Sequence, residues 1–162
     1  MECMAKPERQ HEWLKQLVGE WAFESEADFG PDQPKLKSSG TEIVRSMGDL
    51  WFVCEGQGEV PGAGGQMSMQ MTLGYDPARE RFVGSWIGSV MTHMFVYEGR
   101  LDDSEKILAL DTEGPSFSDP AKQDRYQDVI EILDKNTRLL RSHMPGPDGG
   151  LVEFMVARYT RK

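Results

Sequence analysis

The sequence predicts an all-β protein, a ten-stranded antiparallel up-and-down barrel preceded by one short N-terminal helix. Three observations lead to this fold class. Apolar and polar side chains alternate along most of the chain, which is the period of a β-strand. Ten such runs follow one another, separated by short segments rich in Gly, Pro and Asp. A helical period occurs only near the start, so the chain lacks the repeated helices that connect parallel strands.

The helix is predicted over residues 7–18. Apolar side chains recur there at a spacing of four, as in Trp13 and Leu17, which places them on one face. Gly19 follows as a residue that ends helices well. His11 is expected on the exposed face of this helix.

The strand period begins at Gly19 and places Trp21 on an apolar face. The fourth run is the clearest, because Met67, Met69 and Met71 alternate with polar residues. The ten runs are predicted at residues 19–29, 36–47, 50–60, 67–76, 81–87, 90–101, 107–112, 125–133, 137–144 and 151–161.

A length of 162 residues suits one domain, so we expect a single barrel domain over 1–162, with the barrel itself at about 19–161. Closing a ten-stranded sheet removes its two exposed edges and encloses its apolar faces. Small barrels either fill with side chains or hold one small ligand. The lumen is therefore where we expect a function to reside.

Composition restricts the partners and the compartment. The 27 acidic and 18 basic side chains give a net charge of −9, which repels nucleic-acid phosphates and anionic membrane surfaces. Neither nucleic acid nor membrane is an expected partner. The start of the chain lacks the apolar stretch of a secretion signal, so the expected location is cytoplasmic. Cys3 and Cys54 are expected as free thiols, because two cysteines are too few for a disulfide framework.

Short motifs across nearly the whole chain resemble those of known barrels. The helix followed by Gly-x-Trp looks like the junction that opens the first strand of calycin barrels, which include lipocalins, fatty-acid-binding proteins and nitrobindins. The complete pattern resembles a bacterial family catalogued only as a domain of unknown function, fifteen-seventy-nine. The resemblance implies a lipocalin-like (calycin) barrel and brings no activity with it. The motifs are Gly19-Glu20-Trp21, Gly40-Thr41, Gly48-Asp49-Leu50-Trp51, Gly74-Tyr75-Asp76-Pro77, Tyr97-x-Gly99 and Tyr159-Thr160-Arg161.

The resemblance also implies a structural contact. In calycin barrels the tryptophan of this junction lies at the closed end, covered by a basic side chain from late in the chain. Trp21 and Arg161 match these two positions, with Arg158 as the alternative cation. A cation over an indole face contributes about 0.5–2 kcal/mol, depending on how far it is desolvated.

Seven side chains are the predicted ligand-binding residues. Flexible thioethers adapt to irregular apolar shapes, although the same methionines would also serve in a filled core. A buried indole needs a partner for its N–H, and a lone imidazole alternates with aromatic residues on the sixth run. The seven residues are Met67, Met69, Met71, Trp86, His93, Phe95 and Tyr97.

No catalytic or metal motif occurs in the sequence. It contains no P-loop, no His-Glu-x-x-His, no Gly-x-Ser-x-Gly and no Cys-x-x-Cys, so no catalytic residue and no metal site are predicted. Acid–base catalysis inside the barrel stays an alternative, because the pattern does not decide whether Arg45, Asp111 and Asp128 face inward.

The leading hypothesis is a cytoplasmic protein that binds a small apolar or amphipathic molecule in the barrel lumen, without a cofactor. One alternative is a nitrobindin-like protein that holds haem through His93 or, as a second choice, His143; this follows from the resemblance to nitrobindins. The other alternative is an interaction or structural module with a solid core. A homodimer is a further possibility that the sequence leaves open.

Overall fold

The computed structural model describes residues 4–162, so Cys3 lies outside the described residues. These residues form one helix and ten strands that close into a barrel, with each strand antiparallel to both neighbours and β1 paired with β10. The predicted fold class is confirmed. Within residues 4–162 no helix is long and apolar enough to cross a membrane. The elements are α1 (Arg9–Lys15), β1 (Gly19–Ala27), β2 (Leu36–Met47), β3 (Trp51–Glu59), β4 (Gln66–Asp76), β5 (Arg81–Gly88), β6 (Phe95–Leu101), β7 (Ile107–Pro115), β8 (Gln123–Asp134), β9 (Thr137–Pro145) and β10 (Leu151–Arg161).

The helix α1 covers one end of the barrel. Leu14 and Leu17 are buried against the base of the lumen. The helix is shorter than the predicted 7–18. It ends where the amide of Leu17 donates to the carbonyl of Leu14, three residues back, at a distance of 3.0 Å. Such tighter turns are common where an α-helix ends.

His11 lies on the buried face of α1, so the expectation that it would be exposed is wrong. Only 4% of its surface is accessible. Its Nδ1 accepts a hydrogen bond from the amide of Glu8 at 2.9 Å, and its ring meets Tyr75 edge-on with 5.8 Å between the ring centres. The imidazole therefore caps the first turn of the helix. The spacing of apolar residues cannot predict this role, because histidine is not counted as apolar.

The Gly-x-Trp junction is held by Arg161 at the end of the last strand. The Arg161 guanidinium lies 4.2 Å from the centre of the Trp21 ring and donates to the carbonyls of Val18 (2.7 Å) and Gln16 (2.9 Å) just beyond α1. Gly19 has φ +139° and leaves no room for a Cβ beside this guanidinium. Arg158, the alternative cation, is exposed.

A double-mutant cycle on Trp21 and Arg161 is expected to show a coupling of about 0.5–2 kcal/mol in the free energy of unfolding. The two variants Trp21→Leu and Arg161→Met and their combination would be compared by urea denaturation followed by far-ultraviolet circular dichroism. The pair Trp21 and Arg158 serves as the control. Additive effects for Trp21 and Arg161 would contradict a direct contribution from this contact.

The opposite end of the barrel carries the loops that follow β1, β3, β5, β7 and β9. Residues 90–94 belong to one of these loops and not to the sixth strand as predicted, because the amide of Met91 turns back to the carbonyl of Gly88 at 3.3 Å. Met91 is consequently 45% exposed. A bulge between Glu153 and Met155 in β10 turns Phe154 toward the same end. This end is called the mouth.

Candidate functional site

The lumen has three levels. The level nearest α1 is a closely packed aliphatic and aromatic floor whose side chains are fully buried. Polar side chains occupy the middle level, and aromatic side chains surround the mouth. The floor consists of Phe52, Leu73, Phe82, Leu108, Leu110 and Ile130.

One half of the middle level is a polar wall formed by Tyr97, Thr112, Asp128 and Ser142. The hydroxyl of Tyr97 donates to Oδ2 of Asp128, and the hydroxyl of Ser142 donates to Oδ1 at 2.6 Å. Burial raises the pKa of Asp128, although these two hydrogen bonds oppose the shift. Burial, together with the Asp128 charge, raises the pKa of Tyr97 well above its ordinary value. The phenol therefore stays protonated and serves as a donor.

The other half of the middle level is an ion-pair cluster around Arg138. Its guanidinium pairs with Glu42, and these two side chains are only 5% and 12% exposed. It also lies 4.0 Å from the centre of the Tyr159 ring and 4.6 Å from that of Trp21. Burial raises the pKa of the neighbouring Cys54 thiol, so this free cysteine is a poor nucleophile.

The barrel wall opens between β6 and β7. Their ladder pairs only residues 98–101 with 108–111. Nearer the mouth, residues 95–97 pair only with β5, and residues 112–115 only with β8. The two strand segments border a cleft of about 540 Å³ that reaches from solvent to inward-facing side chains such as Tyr126. The His93 imidazole bridges the gap, with Nε2 donating to the carbonyl of Glu113 at 3.0 Å.

Thr112 lines the inner side of this cleft, and its buried hydroxyl has no hydrogen-bond partner within residues 4–162. The residue is 8% exposed, and its Oγ1 is one of two buried side-chain polar atoms without a partner in residues 4–162. Leaving such a group unsatisfied costs about 1–3 kcal/mol, so buried hydroxyls normally find a partner. A bound molecule with a polar group could satisfy it.

Aromatic rings in edge-to-face contact continue from the cleft to the mouth. Phe95 lies at the centre, with ring centres 4.7 Å from His93, 6.0 Å from Trp86 and 6.1 Å from Tyr126. Phe117, 58% exposed, extends the series from Tyr126 at 5.6 Å. Offset and edge-to-face aromatic groups of this kind are suited to a planar apolar guest. Phe29 and Phe154 complete the rim of the mouth.

The seven predicted ligand-binding residues lie together on one side of the barrel. Six are on the inner faces of β4, β5 and β6, and His93 directly precedes β6. Their role in ligand binding stays a prediction. Their burial differs along the lumen: Met67, Met71 and Tyr97 are buried, whereas Met69, Trp86, His93 and Phe95 are half-buried.

Sequence reasoning missed the opposite side of the site. Asp128, whose direction the pattern left open, faces inward, whereas Arg45 and Asp111 are exposed. Thr112 and Tyr126 were not singled out, although both alternate with polar outward residues on their strands. The gap between β6 and β7 has no signature in the sequence, because it depends on where the ladder stops.

Each of the two candidate haem ligands uses one ring nitrogen in a hydrogen bond to a backbone carbonyl. Nε2 of His93 is occupied by the Glu113 carbonyl. His143 pairs with Gln127 on the outer face, beside inward-facing Ser142, and its Nδ1 lies 3.3 Å from the Gln127 carbonyl oxygen. Haem binding through His93 or His143 therefore stays an untested alternative.

Comparison with solved structures shows that other proteins share this barrel fold. The chain superposes on Rv2717c from M. tuberculosis with a TM-score of 0.65 and 14% identity, covering 97% of this chain and 99% of that one. It superposes on the S-type phycobiliprotein lyase CPES from Guillardia theta with a TM-score of 0.62 and 11% identity, over 94% and 92% of the two chains. The barrel EF1p2_mFAP2b bound to DFHBI gives a TM-score of 0.50 and 12% identity, over 94% and 98%. At these identities the likeness concerns the fold alone.

No curated protein matches the sequence. A family model described as "Protein of unknown function (DUF1579)" matches residues 6–161. This match includes the helix, all ten strands and the whole of the candidate site. The chain therefore belongs to the DUF1579 family, as the motif pattern in its sequence suggested.

Proposed function

We propose that this protein is a cytoplasmic binding protein that takes up a small apolar or amphipathic molecule through the cleft between β6 and β7. The observation that carries the proposal is that the cleft is lined by the rings of His93 and Tyr126, which both contact Phe95 edge-to-face, and by Thr112. An apolar guest gains by covering exposed apolar surface at these rings, at roughly 25 cal/mol per Å² of apolar surface removed from water.

The dimensions of the cleft are compatible with this role. Its volume of about 540 Å³ lies within the range of about 300–1,000 Å³ that is usual for small-molecule pockets. Such pockets are mostly apolar and contain a few polar groups that fix the orientation of the ligand. The aromatic rings around Phe95 provide the apolar surface, and the polar wall provides the groups that would orient the ligand.

Two similar folds support the proposal by analogy. One is named as a phycobiliprotein lyase and the other is a barrel bound to DFHBI. The second name shows that a barrel of this architecture can hold a small molecule, and fold analogy on its own does not assign a ligand. No observation favours haem over an organic guest, because Nε2 of His93 is already used in bridging the gap.

Titration with the uncharged dye Nile red tests the proposal. We expect saturable binding with a blue shift of the dye emission and a dissociation constant in the micromolar range, corresponding to roughly −8 kcal/mol. Trp86→Ala should weaken binding about fivefold or more, because it removes aromatic surface from the guest site. Trp51→Ala is the matched control, since Trp51 is exposed at the other end of the barrel. Absence of saturable binding, or equal loss in both variants, would contradict the proposal.

A further inference from the structure

Asp128 is a carboxyl group inside the barrel that forms no ion pair within residues 4–162. The ionisable group that acts on it is His143, which lies on the outer face of the neighbouring strand. Each oxygen of Asp128 accepts one hydrogen bond, from Tyr97 and from Ser142. None of the ion pairs formed within residues 4–162 includes Asp128. A carboxylate offers about four acceptor positions, so about two remain available. Buried carboxylates are normally paired with a cation, and here that position is open.

The strand register brings this carboxyl close to the cleft. Leu110 pairs with Asp128 and Thr112 pairs with Tyr126 across β7 and β8. Thr112 and Asp128 are therefore diagonal neighbours on the same inner face, a relation that usually separates two residues by about 7–8 Å. Thr112 lines the cleft, and its hydroxyl is unpartnered and buried. Asp128 itself does not line the cleft, so a guest would reach it only by passing Thr112 into the lumen.

The outer rim of the cleft is acidic. Glu98, Asp111 and Glu113 line it together with Arg125, and Glu98 is paired with Arg79 outside the cleft. These carboxylates are exposed, and together with the net charge of −9 they give the entrance a negative potential. Acidic rims of this kind raise the local concentration of cations and disfavour anions.

We propose that the guest is an apolar or aromatic amine whose protonated nitrogen donates to Asp128, with Thr112 as the second polar contact and the rings around Phe95 enclosing the apolar part. This inference rests on the proposed function and names the ligand class of the same site. The ammonium group supplies the counter-charge that the protein leaves out, and charge-assisted hydrogen bonds of this type are about twice as strong as neutral ones.

A matched series of naphthalene compounds tests the charge preference. The compounds are 1-naphthylmethylamine, 1-naphthalenemethanol and 1-naphthaleneacetate, measured by isothermal titration calorimetry and by displacement of Nile red. We expect the amine to bind about tenfold more tightly than the carboxylate, with the alcohol between them. In Asp128→Asn, which keeps the size of the side chain, this ratio should fall below about threefold. Glu20→Gln, at an exposed position on β1 away from the cleft, is the control variant and should keep the preference.

The outcomes separate the two proposals. If Nile red binds but the carboxylate equals or exceeds the amine, the amine inference is overturned and the binding function stands. If Asp128→Asn folds and keeps the full preference, the assignment to Asp128 is overturned. If Asp128→Asn does not fold, Thr112→Val replaces it. The inference is supported if this variant binds the amine about threefold more weakly and binds the alcohol with the same or a less reduced affinity. It is overturned if the affinity for the amine is unchanged. Failure of every compound and of Nile red overturns both proposals.

Discussion

Arg138→Met is expected to destabilise the protein by about 3–5 kcal/mol, because it leaves the Glu42 carboxylate inside the barrel without its cation. Only 12% of the Glu42 side chain is exposed, so water cannot replace the lost guanidinium effectively. The substitution also removes the cation that lies between the rings of Trp21 and Tyr159. Urea denaturation followed by far-ultraviolet circular dichroism measures the change, since tryptophan emission would respond to the substitution itself.

Arg158→Met is the matched control for this prediction. Arg158 is exposed on the last strand, and surface substitutions of this kind usually change the free energy of unfolding by about 0.5 kcal/mol or less. The double variant Glu42→Met with Arg138→Met should recover most of the stability, because a buried ion pair can be replaced by apolar side chains at little cost. A single Arg138→Met variant as stable as the Arg158 control would contradict a structural role for the ion-pair cluster.

The barrel could be predicted because its strands are unusually regular. The alternation of Met67, Met69 and Met71 with polar residues allows one burial pattern, and a shift of one residue would expose all three. The end of the helix and the start of the sixth strand were predicted less accurately. Both depend on single backbone hydrogen bonds, such as the turn from Met91 to Gly88, that apolar periodicity does not encode.

The candidate site was only half predictable for a related reason. Apolar residues identify their own strand face, so the side of the lumen with Trp86 and Phe95 follows from the pattern. The pattern left the direction of Asp128 open, because the direction of a polar residue depends on its partners, and the partners of Asp128 come from other strands. The cleft itself results from the short ladder between β6 and β7, which is a property of the closed barrel and of no single segment.

Thr112→Trp is expected to weaken Nile red binding by at least about tenfold, which corresponds to about 1.4 kcal/mol. Thr112 faces the inner end of the cleft, so an indole at this position would occupy the space that we assign to the guest. Because Thr112 is only 8% exposed, the larger side chain should also lower the free energy of unfolding, by about 1–3 kcal/mol, the usual cost of overpacking a core. Both quantities can be measured on the same preparation, by dye titration and by urea denaturation.

Arg100→Trp provides the control for the added indole. Arg100 is exposed on β6 outside the cleft, so an indole there enlarges the apolar surface without entering the site. Nile red affinity should then stay within about twofold of the unmodified protein, since surface apolar groups attract such dyes only weakly. If Thr112→Trp folds normally and binds the dye as tightly as Arg100→Trp, the guest does not pass between β6 and β7. The mouth around Phe117 would then be the remaining route to the lumen, and the polar wall would lose its place in ligand recognition.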